Sequence, residues 1–151
     1  MIHSQANKYF IVTSPAAIND NTAFTTNEID TKGFRYLTIL GIFGAMDVDM
    51  AVWKVQEGDV SGSANTDITG LDTAAVTTGD GRIPQDDDDD KIFGFMIDLK
   101  GRKRYINLDA TAGNGALGTY MAALAILSRA EESANTTTER GLAGIKRLPA
   151  P

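Results

Sequence analysis

The chain has 151 residues, of which 42% are hydrophobic and 23% charged, a balance typical of one soluble globular domain. It contains no cysteine and one histidine, His3, so disulfides and thiolate metal sites are excluded, and Ser–His or Cys–His catalysis has little support. The net charge of −6 argues against a protein whose main task is to bind nucleic acid. Because the N-terminus lacks a signal-peptide pattern and the apolar stretches are too short to span a bilayer, we expect no membrane association.

Charge is distributed unevenly along the chain. Residues 1–99 carry 6 basic and 16 acidic side chains, whereas residues 100–151 carry 8 basic and 4 acidic ones. Five consecutive aspartates, residues 86–90, supply half of the excess negative charge in the first part. The asymmetry has two interpretations: it orients the molecule against a charged neighbour, or it reflects one acidic loop.

Three segments in the first part of the chain are typical of β-strands. They are rich in β-branched and aromatic residues or alternate between apolar and polar ones, and Gly, Pro and Asn mark their boundaries. These segments are residues 9–12, 34–43 and 50–57. In the last of them Trp53 and Val55 share one face, and we expect Trp53 to anchor the core.

Residues 58–90 are rich in Gly, Ser, Thr and Asp and predict a polar excursion with one or two short strands. The aspartates of residues 86–90 suggest a calcium site. A calcium loop, however, alternates its ligands, turns on a central glycine and ends in a glutamate, and residues 86–97 lack all three features. Adjacent carboxylates repel one another, so we expect a solvated, mobile loop and no metal.

Two alternating segments follow, residues 91–99 and 104–109, and a short connector that contains Gly101 joins them. A short glycine-containing connector between two strands predicts a β-hairpin. Residues 119–128 predict a final long strand, which returns antiparallel after a glycine-rich turn.

That turn, residues 113–118, matches the G-x-G-x-x-G pattern of dinucleotide-binding loops. Such a loop needs a helix and then a second parallel strand, but a polar tail follows residue 132. We therefore interpret residues 113–118 as a glycine-rich hairpin turn and expect no cofactor. Asp47 and Asp49 are likewise interpreted as a turn between strands, since no acid, base or metal partner lies near them in the sequence.

Six to eight strands without a convincing helix predict an all-β fold, either an antiparallel β-sandwich or a barrel. We expect a single β-sandwich domain over residues 1–132 and a polar C-terminal arm over residues 133–151. Residues 100–104 form a basic cluster with three interpretations: contact with nucleic-acid phosphates, a charged sheet edge that prevents aggregation, or docking to an acidic protein surface.

With these segments identified, the chain resembles a family of small virion proteins of tailed bacteriophages, usually encoded beside capsid genes. The resemblance rests mainly on scaffold residues and covers most of residues 33–132. Its blocks are residues 33–37 (GFRYL), 50–57 (MAVWKVQE), 91–105 (KIFGFMIDLKGRKRY) and 125–131 (AILSRAE).

The resemblance implies a jelly-roll-like β-sandwich that decorates and cements the capsid shell, often as a homotrimer. It supplies no catalytic residues, so we expect a structural protein and not an enzyme. The expected partner is the major capsid protein, and the expected location is the virion surface after synthesis in the host bacterial cytoplasm. An alternative is a carbohydrate-binding or tail- or neck-associated β-sandwich module of the virion. Under the first hypothesis the predicted capsid contacts are Arg102, Lys103, Arg104, Arg140, Lys146 and Arg147.

Overall fold

A computed structural model describes residues 6–73, 76–130 and 138–144. Within these ranges the chain forms eight β-strands and no α-helix, which confirms the predicted all-β class. The strands are β1 (Lys8–Thr13), β2 (Ile29–Asp30), β3 (Phe34–Met46), β4 (Val52–Gly58), β5 (Thr66–Asp72), β6 (Ile92–Asp98), β7 (Tyr105–Thr111) and β8 (Thr119–Ala130). In the part of the chain so described, no helix has the length and hydrophobicity needed to cross a bilayer.

The strands form two antiparallel sheets of four strands each. Sheet A has the order β1-β8-β3-β6, and sheet B has the order β2-β7-β4-β5. Only the connection from β4 to β5 joins neighbours within a sheet, and every other connection crosses between the sheets. This interleaved order of eight strands defines a jelly-roll-like sandwich, the fold that the resemblance implies.

The predicted hairpin between residues 91–99 and 104–109 is wrong. Both segments are strands, but β6 pairs with β3 in sheet A, whereas β7 pairs with β2 and β4 in sheet B. The connector therefore crosses from one sheet to the other. The alternation of apolar and polar residues predicts which side chains point inward. It does not predict which strands pair, because two strands that each have an apolar inner side can lie in the same sheet or in opposite sheets of a sandwich.

The core lies between the sheets and is built from their alternate, inward-facing residues. Trp53 of β4 is 1% exposed, which confirms its predicted role as a core anchor. Its ring lies edge-on to Phe43 at 5.3 Å between centroids and is stacked on Phe95 at 5.4 Å. A Cβ at Gly41 would collide with the indole of Trp53, so the bare backbone of β3 at this position makes room for the large ring.

The polar excursion of residues 58–90 belongs to the same sandwich. Its strand β5 pairs with β4 at the edge of sheet B. Ile68 of β5 and Ile83 of the following loop are buried in the core. These two apolar side chains tie an otherwise polar segment to the sheets.

Residues 138–144 of the predicted arm lie against β1. The Tyr9 amide donates a hydrogen bond of 2.6 Å to the Arg140 carbonyl oxygen. Gly141 has a φ of 72° and lies so close to the Tyr9 carbonyl that a Cβ would not fit. The rest of the predicted arm, residues 133–137 and 145–151, lies outside the described residues.

Candidate interaction surface

The outer face of sheet A, which is turned away from the core, consists mainly of apolar side chains. Alternate residues of each strand point to this side, and the registers of β1, β8, β3 and β6 align them in rows. We call these twelve residues the apolar face: Tyr9, Ile11, Thr38, Leu40, Ile42, Ile92, Gly94, Met96, Tyr120, Ala122, Leu124 and Ile126. None of them is charged.

Several of these side chains are largely exposed to solvent. Met96 is 85% exposed, Ile92 63%, Ile11 58% and Ile42 48%. Each outward residue occupies about two strand positions of 3.3 Å and a width of about 4.8 Å, so the twelve residues give the face a projected area of roughly 380 Å². The largest apolar patch on a soluble monomer covers about 300–600 Å² and is often a functional surface.

Charged residues border the apolar face at one end. Arg35 pairs with Asp98 at 3.3 Å. The guanidinium of Arg129 lies 5.3 Å from the centre of the Tyr36 ring, and that of Arg35 lies 5.8 Å from it. An apolar centre with a polar rim is the usual anatomy of a protein–protein interface.

The outer face of sheet B is polar and internally satisfied. Lys54 of β4 lies 3.0 Å from Asp67 of β5 and 3.7 Å from Asp109 of β7. The Gln56 amide also donates to Asp67, at 2.7 Å. The hydrogen bonds from Gln56 and Lys54 lower the pKa of Asp67. The two outer faces of the sandwich therefore differ: that of sheet B suits water, and that of sheet A suits another protein surface.

Among the predicted contact residues, Arg104 forms a bidentate ion pair with Asp30. Its Nε and Nη2 donate to the two carboxylate oxygens of Asp30 at 2.9 and 2.7 Å. This pairing lowers the pKa of Asp30 to about 2. The guanidinium of Arg104 also lies 4.9 Å from the centre of the Tyr105 ring, so its orientation is fixed by two partners.

Arg102 and Lys103 are paired as well. Arg102 lies 3.7 Å from Glu57, and the Nζ of Lys103 lies 3.4 Å from Asp59. The structure thus brings three of the predicted contact residues together, but each faces a carboxylate of the same chain. The net charge of this surface is close to zero, because an acidic side chain lies next to each of the three basic ones.

The structure corrects the expectation that Arg140 is exposed on an extended arm, whereas its contact with the capsid stays a prediction. Its side chain is only 4% exposed, because residues 138–144 lie against β1 and do not extend away from the sandwich. Lys146 and Arg147 lie outside the described residues.

The sequence predicted that the whole five-aspartate loop is solvated, and for Asp88 this prediction is wrong. Asp88 is 0% exposed and accepts hydrogen bonds from the Arg82 guanidinium, from Lys91 at 2.8 Å and from the Gln85 amide at 2.8 Å. These hydrogen bonds, foremost that from Arg82, hold the pKa of Asp88 well below its usual range.

A second aspartate of the loop, Asp89, accepts a hydrogen bond of 2.8 Å from the Met46 backbone amide, which ties the loop to the end of β3. No cluster of acidic or histidine side chains in the described ranges is arranged to hold a metal ion.

The glycine-rich segment, residues 113–118, is not a hairpin turn, because it carries the chain from β7 in sheet B to β8 in sheet A. It does bind an anion, namely the carboxylate of Asp47. The amides of Ala116, Leu117 and Gly118 donate to this carboxylate at 2.6, 2.6 and 3.0 Å. These amide bonds, with that of Leu117 the largest contribution, lower the pKa of Asp47. A ligand phosphate therefore finds these amides already occupied.

Asp47 is expected to hold this segment in place. In an Asp47→Asn variant the amides of Ala116 and Leu117 lose their anionic acceptor, so their hydrogen exchange accelerates about tenfold or more. Exchange measured residue by residue by NMR checks this expectation. Asp59→Asn, which removes an exposed charge elsewhere, serves as the control and leaves both amides unchanged. Equal protection in Asp47→Asn and the wild type would contradict the assignment.

A shallow groove of about 560 Å³ lies beside β6, between this edge strand and the loop after β5. Its titratable lining residues are Asp72, Asp80 and Arg82. Arg82 is bound to Asp88. These residues do not form the nucleophile–base arrangement that covalent or acid–base catalysis requires.

Comparison of the chain with protein-family models, with curated proteins and with solved structures gave no match in any of the three. The resemblance of the four sequence blocks to phage virion proteins therefore stays a prediction. Function has to be argued from the surfaces of the sandwich.

Proposed function

We propose that this chain is a structural virion protein that decorates a bacteriophage capsid and stabilises the shell by bridging major capsid subunits. The observation that carries the proposal is the apolar face, a wide exposed surface on a rigid sandwich whose opposite face is polar. A protein that acts by contact needs such a surface and needs no convergent reactive groups. The four sequence blocks that resemble virion proteins favour the capsid as the place where this contact is used.

Stabilisation follows from mass action. A protein that binds the assembled shell, but not the dissociated subunits, adds about 2.7 kcal/mol per site at a free concentration of one hundred times its Kd. Copies made in the bacterial cytoplasm would join the outside of the shell after assembly. No chemical step is needed, because the free energy of binding is itself the stabilising contribution.

If Arg102, Lys103 and Arg104 contact the capsid, each replaces a carboxylate of its own chain with a carboxylate of the capsid. Each already faces a carboxylate of its own chain, so a capsid carboxylate adds little attraction unless it displaces Glu57, Asp59 or Asp30. Exposed charges of this kind mainly affect the association rate and its salt dependence. Lys146 and Arg147 remain candidates on sequence grounds alone.

Cosedimentation with undecorated capsids tests the proposal. The capsids are assembled from the major capsid protein of the genome that encodes this chain, mixed with the full-length protein and pelleted. We expect saturable binding at a fixed ratio to the capsid subunit and a higher melting temperature of the shell. Absence of the protein from the pellet, together with an unchanged melting temperature, would contradict the proposal.

A charge-reversed variant tests the predicted terminal contacts. Lys146→Glu combined with Arg147→Glu should slow association with capsids about tenfold at low salt, because attraction becomes repulsion. Lys32→Glu, an exposed lysine between β2 and β3, is the matched control and binds like the wild type. Equal association rates for all three proteins would remove the terminal residues from the interface.

The carbohydrate-binding alternative requires an exposed aromatic platform. Trp53, the residue best suited to stack on a sugar, lies in the core, and of the four tyrosines only Tyr120 is exposed, at 46%, so the described surface offers a single ring. Decoration of the shell is therefore the function that the described surface supports best.

A further inference from the structure

We propose that Asp80, in the turn after β5, is a site of spontaneous isomerisation to isoaspartate, and that the fold protects Asn114, the site that the sequence favours for this chemistry. The chain contains one Asn-Gly pair, residues 114–115, and one Asp-Gly pair, residues 80–81. Both pairs can cyclise, because glycine has no side chain to hinder the attack of its amide nitrogen on the preceding residue. The reaction is intrinsic to the chain and does not depend on a capsid.

The modification is a ring closure followed by hydrolysis. The glycine amide nitrogen loses its proton and attacks the side-chain carbonyl carbon, and the side chain releases ammonia from Asn or water from Asp. Water then opens the resulting succinimide at either carbonyl and yields aspartate or isoaspartate, in which the main chain continues through Cβ. The only co-reactant is water. In an unstructured chain Asn-Gly reacts faster at neutral pH, because the ionised carboxylate of Asp is a poor electrophile.

In the folded protein the amide of Gly115 is already bound. It donates a hydrogen bond of 2.9 Å to the carboxylate of Asp20. A Cβ at Gly115 would collide with the carboxylate of Asp47, so a second anion lies against the same residue. Loss of the amide proton between two carboxylates is unfavourable, because it places a third negative charge beside them. The nucleophile that ring closure at Asn114 requires is therefore suppressed.

The main chain on both sides of Asn114 is also fixed. The Gly113 carbonyl oxygen accepts a hydrogen bond of 2.9 Å from the Asn21 amide, and the amides of residues 116–118 bind Asp47. Ring closure requires rotation of the Asn114 backbone, which would break these hydrogen bonds. Cyclisation therefore needs local opening of the segment, and its rate falls with the population of the open state.

The turn at Asp80 lacks these restraints. Asp80 and Gly81 are both exposed, and the space that a Cβ of Gly81 would occupy is open. The turn is closed by the Arg82 amide, which donates to the Gly79 carbonyl oxygen at 3.3 Å. Within the described ranges, neither the Asp80 carboxylate nor the Gly81 amide forms a hydrogen bond. The fold thus reverses the order in which the two sites react.

Isomerisation at Asp80 changes the groove beside β6. Asp80 lines this groove, and Arg82, two residues later, binds Asp88. Isoaspartate lengthens the main chain of the turn by a single carbon and leaves the net charge unchanged. The modification therefore alters the shape of the groove wall and not its charge.

Peptide mapping by mass spectrometry, combined with enzymatic methylation of isoaspartate, tests the proposal. The full-length protein is incubated at neutral pH with and without urea. In the folded protein we expect isoaspartate at Asp80 before deamidation of Asn114 is detected, and in urea we expect the reverse order. Deamidation of Asn114 should be about tenfold or more slower in the folded than in the unfolded protein. An order that urea does not change, or equal rates at Asn114 in both states, would overturn the inference.

Three variants separate the causes, and tryptophan fluorescence verifies that each is folded. Asp20→Ala frees the bound amide and should accelerate deamidation of Asn114 about tenfold. Asp59→Ala, which removes an exposed carboxylate after β4, is the matched control and should leave that rate unchanged. Asp80→Glu keeps the carboxylate but needs a less favourable six-membered ring, so the isomerised product at residue 80 should disappear. Equal deamidation in folded Asp20→Ala and Asp59→Ala would contradict the assigned protection.

Discussion

Replacement of Trp53 by alanine is expected to lower the free energy of unfolding by about 3–5 kcal/mol, the usual cost of removing a large aromatic side chain from a core. Trp53 is 1% exposed and contacts the rings of Phe43 and Phe95. Its removal takes away these contacts and leaves a cavity between the sheets. Urea denaturation followed by far-UV circular dichroism measures the change, because the variant lacks the only tryptophan of the chain.

Two further variants provide reference values for the loss of unfolding free energy in Trp53→Ala. Trp53→Phe keeps a ring between Phe43 and Phe95 and should cost less than the alanine variant. Leu117→Ala removes a side chain that is 73% exposed, and we expect a change within about 0.5 kcal/mol. A loss below about 1 kcal/mol for Trp53→Ala would mean that the sheets do not close on this residue.

The second large effect is expected at Asp88. Asp88→Asn removes the charge that binds Arg82 and Lys91 and should lower the free energy of unfolding by about 2–3 kcal/mol at pH 7. Asp87→Asn makes the same substitution one residue earlier, on an exposed side chain, and should change stability little. Chemical denaturation of both variants makes the comparison, and equal effects would contradict the burial of Asp88.

The effect of Asp88 depends on pH in a definite direction. Its pKa in the folded protein lies below that of an unfolded aspartate, so its stabilising contribution is complete above the unfolded pKa of about 3.9. It is lost as the pH falls toward the folded value. The difference in stability between the wild type and Asp88→Asn should therefore narrow progressively below about pH 4. A constant difference between pH 7 and pH 3 would contradict the ion pair.

The strands and their inward faces could be predicted from the sequence, because a period of two follows from the geometry of the strand itself. The alternation around Trp53 and Val55 predicted their burial, and both are buried. Pairing could not be predicted in the same way. The partner of β6 is β3, whose paired residues lie 50 to 62 positions earlier, and no local signal distinguishes it from the neighbouring β7.

The environment of each aspartate also depends on distant contacts. The five aspartates of residues 86–90 are indistinguishable in the sequence, yet only Asp88 is buried. Arg82 lies six residues earlier and pairs with Asp88 in a loop whose Ile83 is buried in the core. A charge run predicts hydration on average, and it does not identify the member that finds a partner.

The apolar face was missed although part of its signal was visible. Ile92 and Met96 fall on the outer side of β6, where a solvated strand would carry polar residues. In β8 the outward residues Leu124 and Ile126 accompany inward Ala125 and Leu127, so both sides of the strand are apolar. Such two-sided strands indicate a sheet that is covered on both faces. Recognising that the four strands adjoin required the topology.

Whether the predicted basic contact residues are available also depends on distant contacts. Arg102, Lys103 and Arg104 stand out in the sequence because they are consecutive, but the fold sets each opposite a carboxylate from another segment. Arg140 was placed in an extended arm because the tail is polar, and the structure buries it beside β1. The sequence identifies these side chains as charged, and only the packing of the fold shows whether each of them can contact another molecule.

A cryo-electron microscopy reconstruction of the intact virion examines most directly whether this protein is a contact-forming component of the shell. We expect jelly-roll-like density on the outside of the capsid at a fixed ratio to the major capsid protein, with the apolar face buried in a contact. A shell that is complete without this density, or density confined to the tail, would contradict the account.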